Sequence, residues 1–164
     1  MPPRRENRWR LPHWLMLAAL LVVADQGSKA WALQTLSAAE PIVLTPFLNF
    51  VLVFNRGAAF SFLAGADGWQ RWFFTVLAIV VSAWIIHTIR RYPEALRMNL
   101  ALSMILGGAI GNVIDRLRLG AVVDFIDVHA AGWHWPAFNI ADSAIVVGAA
   151  LLIWDQLRTR HDPH

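Results

Sequence analysis

Residues 14–33 read WLMLAALLVVADQGSKAWAL, an apolar run that contains two charged residues, Asp25 and Lys29. A helix of about 20 mostly apolar residues is long enough to cross the hydrocarbon core of a bilayer. The run follows a basic tail, as the core of a secretory signal peptide does, but such a core has only about 7–15 apolar residues. The sequence therefore predicts a retained transmembrane helix over Trp14 to Leu33.

The composition of the whole chain also indicates a membrane protein. Of its 164 residues, 57% are hydrophobic and 15% are charged, whereas about 25% of the residues are charged in a soluble domain. No linker divides the chain, so we expect one membrane-embedded domain over residues 1–164. The chain has no cysteine, which excludes disulfides, a thiolate nucleophile and metal sites with cysteine ligands.

Three further apolar runs predict three more helices, at Trp72–Ile89, Met98–Ile114 and Phe138–Trp154. The predicted fold class is an all-α membrane protein with four transmembrane helices. Gly107 and Gly111 are four residues apart in the third run, a spacing that lets helices approach closely. We favour tight packing within the chain over a dimer interface as the reason for that spacing.

The basic residues predict the orientation of the helices. Nine of the fourteen Lys and Arg residues lie in the tail 1–13, the loop 90–97 and the C-terminal tail 156–164. Cytoplasmic segments are enriched in basic residues, so both termini are expected in the cytoplasm, and residues 34–71 and 115–137 outside. Because the basic residues lie beside apolar runs, we expect no nucleic-acid partner.

The outer segment 40–67 does not resemble a helix. Pro41 and Pro46 interrupt it, and residues 42–44 and 47–54 are rich in β-branched and aromatic side chains, which favour strands. We expect a small extracytoplasmic β cradle over this segment. The roles of the basic tail and of the Trp-rich loop 129–136 stay open.

Several polar residues lie where a membrane makes them costly. Asp25 and Lys29 are four apart and can form an ion pair on one helix face; whether that pair only orders the helix or serves function stays open. Asn55 and Gly57 are typical of a turn. Asn112 lies about one turn inside the third predicted span and needs a hydrogen-bond partner there.

Five more polar residues are expected near the same outer membrane level as Asn112. Asp115 and Arg116 are expected to end the third helix at the interface. Asn139 is expected to cap the fourth helix, and Asp142 is an acid in its first turn. Asp124 lies within an apolar, extended-looking stretch.

Two carboxylates held together cannot both ionise, so one serves as acid and the other as base toward water. Asp124 and Asp142 fit this chemistry, and a 115/142 pair stays open, although Arg116 and a helix end already account for Asp115. No serine lies in a G-x-S-x-G setting and no H-E-x-x-H occurs, so serine and zinc hydrolases are disfavoured. We expect no metal and no cofactor.

Five segments in order then match one family. They are DQGSK (25–29), NRGAAF (55–60), GNVIDR (111–116), VVDF (122–125) and FNIAD (138–142). Together they resemble lipoprotein signal peptidase, the bacterial type II signal peptidase, and the resemblance covers about residues 14–155.

The resemblance implies an aspartic endopeptidase that removes signal peptides from diacylglyceryl-modified prolipoproteins at the outer face of the bacterial inner membrane. It implies that Asp124 and Asp142 are catalytic. It also implies a substrate-binding set consisting of Asp25, Lys29, Asn55, Gly57, Asn112, Arg116 and Asn139. Membrane lipids and the inhibitor globomycin are implied as further partners, and a monomer is expected.

The alternative function is a non-enzymatic transporter or proton channel with a polar path through the bilayer. Such a path needs polar residues across the full membrane. The inner half of the fourth helix, residues 146–154, is apolar throughout. The charges gather at one face, which favours the enzyme.

Overall fold

The computed structural model of the chain describes residues 10–57 and 68–161. These residues form, in order, α1 (Leu11–Thr35), β1 (Ile42–Thr45), β2 (Leu48–Asn55), α2 (Trp69–Arg91), α3 (Leu96–Leu119), β3 (Val122–Ala130), β4 (Trp133–His134) and α4 (Ile140–His161). Most of the predicted tail 1–13, the cradle residues after Gly57, including Ala58-Ala59-Phe60, and the end of the tail 156–164 lie outside the described residues.

All four predicted helices are present. Within the described part of the chain, α2, α3 and α4 are each long and apolar enough to cross a membrane. The helix α1 is not among them, since Asp25, Lys29 and the polar residues between them lower its mean hydropathy. A helical membrane protein with a small antiparallel sheet is therefore confirmed, and the fourth span stays a prediction.

The helix α3 lies at the centre and contacts the other three helices. Its glycines permit this, because a Cβ atom on Gly107 would lie 2.8 Å from the Ala18 carbonyl oxygen of α1. A Cβ atom on Gly111 would lie 2.5 Å from the Asp25 carboxylate of the same helix. The close approach predicted from this glycine spacing is confirmed within the chain.

The four strands form one antiparallel sheet in the order β1-β2-β3-β4. The strand β2 pairs with β3 so that Asn49 lies opposite Asp127 and Val53 lies opposite Asp124. The predicted strands in the cradle segment are thus confirmed. Since β3 follows α3 after only two residues, the sheet lies at the C-terminal end of α3.

An aromatic cluster attaches the sheet to α1. The Trp31 ring meets the Phe50 ring edge-on, with the centroids 5.1 Å apart. Phe125 is buried with Ala32 and Leu36 beneath the same cluster. Such pairs stabilise beyond the apolar area that they bury, and they fix the height of β3 against the helices.

The prediction that Asp115 and Arg116 end the third helix is wrong. The helix continues to Leu119 and ends at Gly120, whose φ of 77° is a left-handed helix cap. Glycine favours that conformation because it has no Cβ atom. Asp115 is therefore an interior helical residue that faces its neighbours inside the protein.

Candidate active site

Three charged side chains form a buried triad of Asp25, Lys29 and Asp115. The Lys29 Nζ atom lies 2.8 Å from Asp25 Oδ2 and 2.7 Å from Asp115 Oδ2. It also donates a hydrogen bond of 3.0 Å to Asn112 Oδ1. The exposed fractions of the three triad residues are 0%, 2% and 3%. The predicted ion pair between Asp25 and Lys29 is confirmed. The contact of Lys29 with Asp115 was not predicted, because Asp115 lies on another helix.

The two carboxylates of the triad also accept hydrogen bonds from two backbone segments. Asp25 Oδ1 accepts a hydrogen bond from the Ala141 amide, at 3.0 Å, in the first turn of α4. Asp115 Oδ2 accepts one from the Val123 amide, at 3.1 Å, at the start of β3. Lys29 thus holds two carboxylates, each of which fixes the backbone next to Asp142 or Asp124.

Gln26, which the sequence analysis did not single out, supports the triad. Its amide nitrogen donates at 2.9 Å to Asp115 Oδ1, at 3.2 Å to Asp25 Oδ2 and at 3.2 Å to the Gly111 carbonyl. An amide supplies two protons, so these three acceptors share them. Gln26 could have been suspected from its position between Asp25 and Lys29 in the apolar run.

Asn139 caps α4, as predicted. Its Oδ1 atom accepts a hydrogen bond of 2.8 Å from the Asp142 amide. In return, the Asp142 carboxylate accepts a hydrogen bond of 3.3 Å from the backbone amide of Asn139. This reciprocal pattern is a capping box, and it fixes the Asp142 side chain relative to the start of the helix.

Asn139 also contacts the other candidate catalytic residue. Its Nδ2 atom donates to Asp124 Oδ1 at 2.7 Å and lies 3.3 Å from Asn112 Oδ1. Asn112 in turn donates at 2.8 Å to Asp142 Oδ1. One asparagine therefore binds both Asp124 and Asp142, and a second one links Asp142 to Lys29.

The environment of Asp124 changes its acidity. Burial of the side chain and the negative charge of Asp142 raise the pKa of Asp124 to about 7, against the opposing hydrogen bonds from Asn55 and Asn139. Asp124 is 1% exposed, whereas Asp142 is partly exposed. One carboxyl group thus exchanges its proton near neutral pH, and its partner can reach water.

The turn predicted at Asn55 and Gly57 is present and reaches the site. Asn55 Oδ1 accepts a hydrogen bond of 2.9 Å from the Gly57 amide, and Asn55 Nδ2 donates at 3.1 Å to Asp124 Oδ2. Gly57 has a φ of 100°. A Cβ atom there would lie 2.9 Å from the Phe74 ring, so the turn needs glycine for both conformation and space.

Arg116 supplies a positive charge beside the two candidate catalytic carboxylates. Its guanidinium lies 5.4 Å from the centre of the Phe74 ring and donates at 3.3 Å to the Asn112 carbonyl. It interacts electrostatically with Asp142 and Asp124. Arg116 is partly exposed, so its charge is open to a bound ligand.

A second polar cluster on the sheet was not predicted. Asp127 accepts hydrogen bonds of 2.9 Å from Asn49 and from His134, and the His129 and His134 rings stack at 4.8 Å. Burial raises the pKa of Asp127, but the hydrogen bonds from His134 and Asn49 outweigh it and hold the pKa below its usual value. Within residues 10–57 and 68–161, no three His, Asp or Glu residues are grouped to hold a metal ion.

Known proteins match the chain over nearly its full length. The family model for signal peptidase (SPase) II matches residues 17–158. A lipoprotein signal peptidase of Polynucleobacter necessarius subsp. necessarius (strain STIR1) is 55% identical over 148 residues, which are 90% of this chain and 91% of that protein. One from Janthinobacterium sp. (strain Marseille) is 53% identical over 145 residues, 88% of each chain. A solved structure of a bacterial membrane enzyme at 1.9 Å superimposes with a TM-score of 0.82 at 31% identity, over 94% of this chain and 98% of that one.

Proposed function

The chain belongs to the signal peptidase II family, and from that membership we propose that Asp124 and Asp142 are its catalytic pair. The protein is a membrane aspartic peptidase that removes signal peptides from prolipoproteins. A transporter or proton channel is not favoured. The observation that carries the assignment of the pair is the bridge by Asn139, which binds the carboxylates of both residues.

The geometry supports a division of labour between the two aspartates. Because its pKa is raised to about 7, Asp124 can carry a proton near neutral pH and serves as the acid. Asp142, the more exposed group, takes a proton from water. That water attacks the scissile carbonyl carbon, and Asp124 gives its proton to the developing oxyanion or to the leaving nitrogen. No covalent enzyme intermediate forms.

Asp115 is the less suitable partner for Asp142. Both of its oxygen atoms are already engaged, by Lys29 and Val123 on one side and by Gln26 on the other. These contacts hold its carboxylate in the ion pair with Lys29 and leave neither oxygen atom free to act on water. We assign Asp115 to the scaffold.

The proposed substrate-binding set divides into two groups. Asn55, Gly57, Asn112, Arg116 and Asn139 surround the catalytic pair and form the surface that orients the scissile bond. Asp25 and Lys29 are almost fully buried, which leaves them no surface for direct contact with a substrate. We therefore assign those two to positioning, through their contacts with Ala141 and Asn112.

Four transmembrane spans, including α1, are supported by the surface of that helix. Met16, Leu20 and Val23 are all more than half exposed, as expected of side chains that face lipid. The helix has 25 residues, or about 37 Å at a rise of about 1.5 Å per residue. That length is enough to cross the bilayer in spite of the triad, whose charges are turned inward.

The proposed orientation places the catalytic pair at the outer face of the inner membrane, with both tails, 1–13 and 156–164, in the cytoplasm. It rests on Arg90 and Arg91 in the last turn of α2 and on Arg97 in the first turn of α3, at the end of these helices away from the sheet. A cysteine introduced at Ala39 should react with a membrane-impermeant thiol reagent in intact cells, and one at Arg91 should not. The opposite labelling would place the site in the cytoplasm.

The proposed substrate carries a diacylglyceryl group next to the bond that is cut, and globomycin competes with it for the same surface. The site lies where α4 begins beside the sheet, so a lipid-anchored peptide would reach it without leaving the membrane. The test is cleavage by purified protein of a prolipoprotein with and without the diacylglyceryl group. Equal cleavage of both forms would exclude recognition of the diacylglyceryl group. The expected monomer is a separate point, which a mass measurement of the protein in detergent would test.

A further inference from the structure

A groove opens between α3 and α4 at the end of the helices opposite to the catalytic pair. Its volume is about 280 Å³, and its lining consists of Arg97, Leu100, Leu151, Trp154, Asp155 and Arg158. None of these residues takes part in the proposed active site. The groove combines apolar walls with charged groups at its rim.

The course of the two helices explains why the groove lies here. At Gly148 they are in close contact, since a Cβ atom there would lie 2.7 Å from the Ala101 carbonyl oxygen. Beyond that point Leu151, Trp154 and Arg158 follow on one face of α4 at spacings of three and four residues. No glycine follows Gly148 in α4, and larger side chains line the groove between the two helices there.

The charges in the groove leave a positive excess. Arg97 and Asp155 form an ion pair of 3.7 Å, and the Arg97 side chain is 70% exposed. Exposed pairs of this kind contribute only about 0–1 kcal/mol, so an anion can compete for Arg97 at little cost. Arg158 adds a second guanidinium against the single carboxylate of Asp155.

The groove also lies at a defined membrane level. The apolar part of α4 ends at Trp154, whose side chain is 63% exposed, and tryptophan concentrates at membrane interfaces. The arginines therefore lie at the level of the lipid headgroups, while Leu100 and Leu151 lie one turn deeper, at the level of the acyl chains.

We propose that this groove is a binding site for an anionic phospholipid of the adjacent leaflet. Arg97 and Arg158 bind the phosphate, and Leu100, Leu151 and the Trp154 ring contact the upper part of an acyl chain. Basic pockets between transmembrane helices bind anionic headgroups in this way. A zwitterionic lipid binds more weakly, because its headgroup cation meets the arginines. The proposal rests on the proposed membrane insertion but not on the proposed catalytic pair.

The test measures lipid retained by the full-length protein. Protein purified in detergent is mixed with equal amounts of phosphatidylglycerol and phosphatidylcholine, and bound lipid is counted by native mass spectrometry. The wild type should retain phosphatidylglycerol preferentially. Arg97→Gln and Arg158→Gln should each weaken retention about fivefold, the value of one surface arginine toward an anionic membrane. The matched control is Arg90→Gln, an exposed arginine on the same side outside the groove, and it should behave as wild type.

A second variant keeps the charges and removes the space. Leu151→Trp should fill the groove and abolish the preference for phosphatidylglycerol. Inorganic phosphate added in excess should not displace the lipid, since it makes no acyl contact. Unchanged retention in both the arginine and the Leu151 variants would overturn the proposal, as would displacement by phosphate alone. Prolipoprotein cleavage by the same samples serves as a test of folding. Cleavage by the variants should equal that of the wild type, because the groove lies away from the catalytic pair. If the wild-type protein itself does not cleave the prolipoprotein, the proposed function is refuted rather than the lipid site.

Discussion

The buried triad makes a prediction about the change Lys29→Met, which removes the charge but nearly conserves the volume. Lys29 holds Asp25 at 2.8 Å, Asp115 at 2.7 Å and Asn112 at 3.0 Å. Breaking one buried ion pair by removing a partner costs about 3–5 kcal/mol, because a charge stays buried without compensation. Here one lysine serves two carboxylates, so we expect a loss at the upper end of that range. Total stabilities are about 5–15 kcal/mol, so the loss is a large share of the whole.

The assay is unfolding in detergent, followed by a double-mutant cycle with Asp115→Asn. The two changes should be less harmful together than the sum of the singles, with a coupling free energy of about 0.5–3 kcal/mol. The control is Arg118→Met, which removes an exposed cation from the same end of α3 and should change stability by less than about 0.5 kcal/mol. Strict additivity between Lys29 and Asp115, or a Lys29→Met loss no greater than that of the control, would refute the role of the triad.

Three further predictions concern the site and the sheet. Activity should fall as the pH rises through about 7, where Asp124 loses its proton. Asn55→Ala removes a hydrogen bond that lowers the pKa of Asp124, so in this variant the fall should occur at higher pH. An identical pH–rate profile for the variant and the wild type would contradict the role of Asp124 as the acid. Gly57→Ala should lower the free energy of unfolding by about 1–3 kcal/mol, because of the positive φ at this position and the contact of the new Cβ atom with Phe74. The control in thermal unfolding is Gly27→Ala, whose Cβ atom would meet nothing within 4 Å. Because the pKa of Asp127 is lowered in the folded protein, the ionised side chain stabilises the fold above the ordinary carboxyl pKa of about 4. This stabilisation is lost as the pH falls through the lower folded pKa. Asp127→Asn should therefore make stability less sensitive to acid, and identical acid unfolding of the variant and the wild type would contradict this contribution of Asp127.

The helices could be predicted from the sequence because the apolar runs must match the thickness of a bilayer, which is a local property. The end of α3 could not. In the sequence alone, Asp115 and Arg116 resemble a helix end, yet Asp115 pairs with Lys29 on another helix and α3 continues to Leu119. An ion pair with a residue that is distant in sequence cannot be recognised from the local segment.

The same limit applies to the candidate site. Asn139 could be predicted as a helix cap, since a cap depends only on neighbouring residues. Its bond to Asp124 depends on how β3 packs beside α4 and could not be predicted. The cluster of Asn49, Asp127 and His134 depends on the register of β2 against β3. That register is set by a bulge between Phe50 and Val53, for which the sequence gives no local signal.

The most direct test of the catalytic pair is the turnover of a diacylglyceryl-modified prolipoprotein by Asp124→Asn, Asp142→Asn and Asp115→Asn, each measured per folded molecule. The first two should lose about 10²–10⁴-fold in turnover while unfolding near the wild-type temperature, since each removes one partner of a general acid–base pair. Asp115→Asn should instead lose stability and keep its turnover. Turnover within about tenfold of wild type for Asp124→Asn or Asp142→Asn, below the range expected for such a group, would contradict the assignment of that residue.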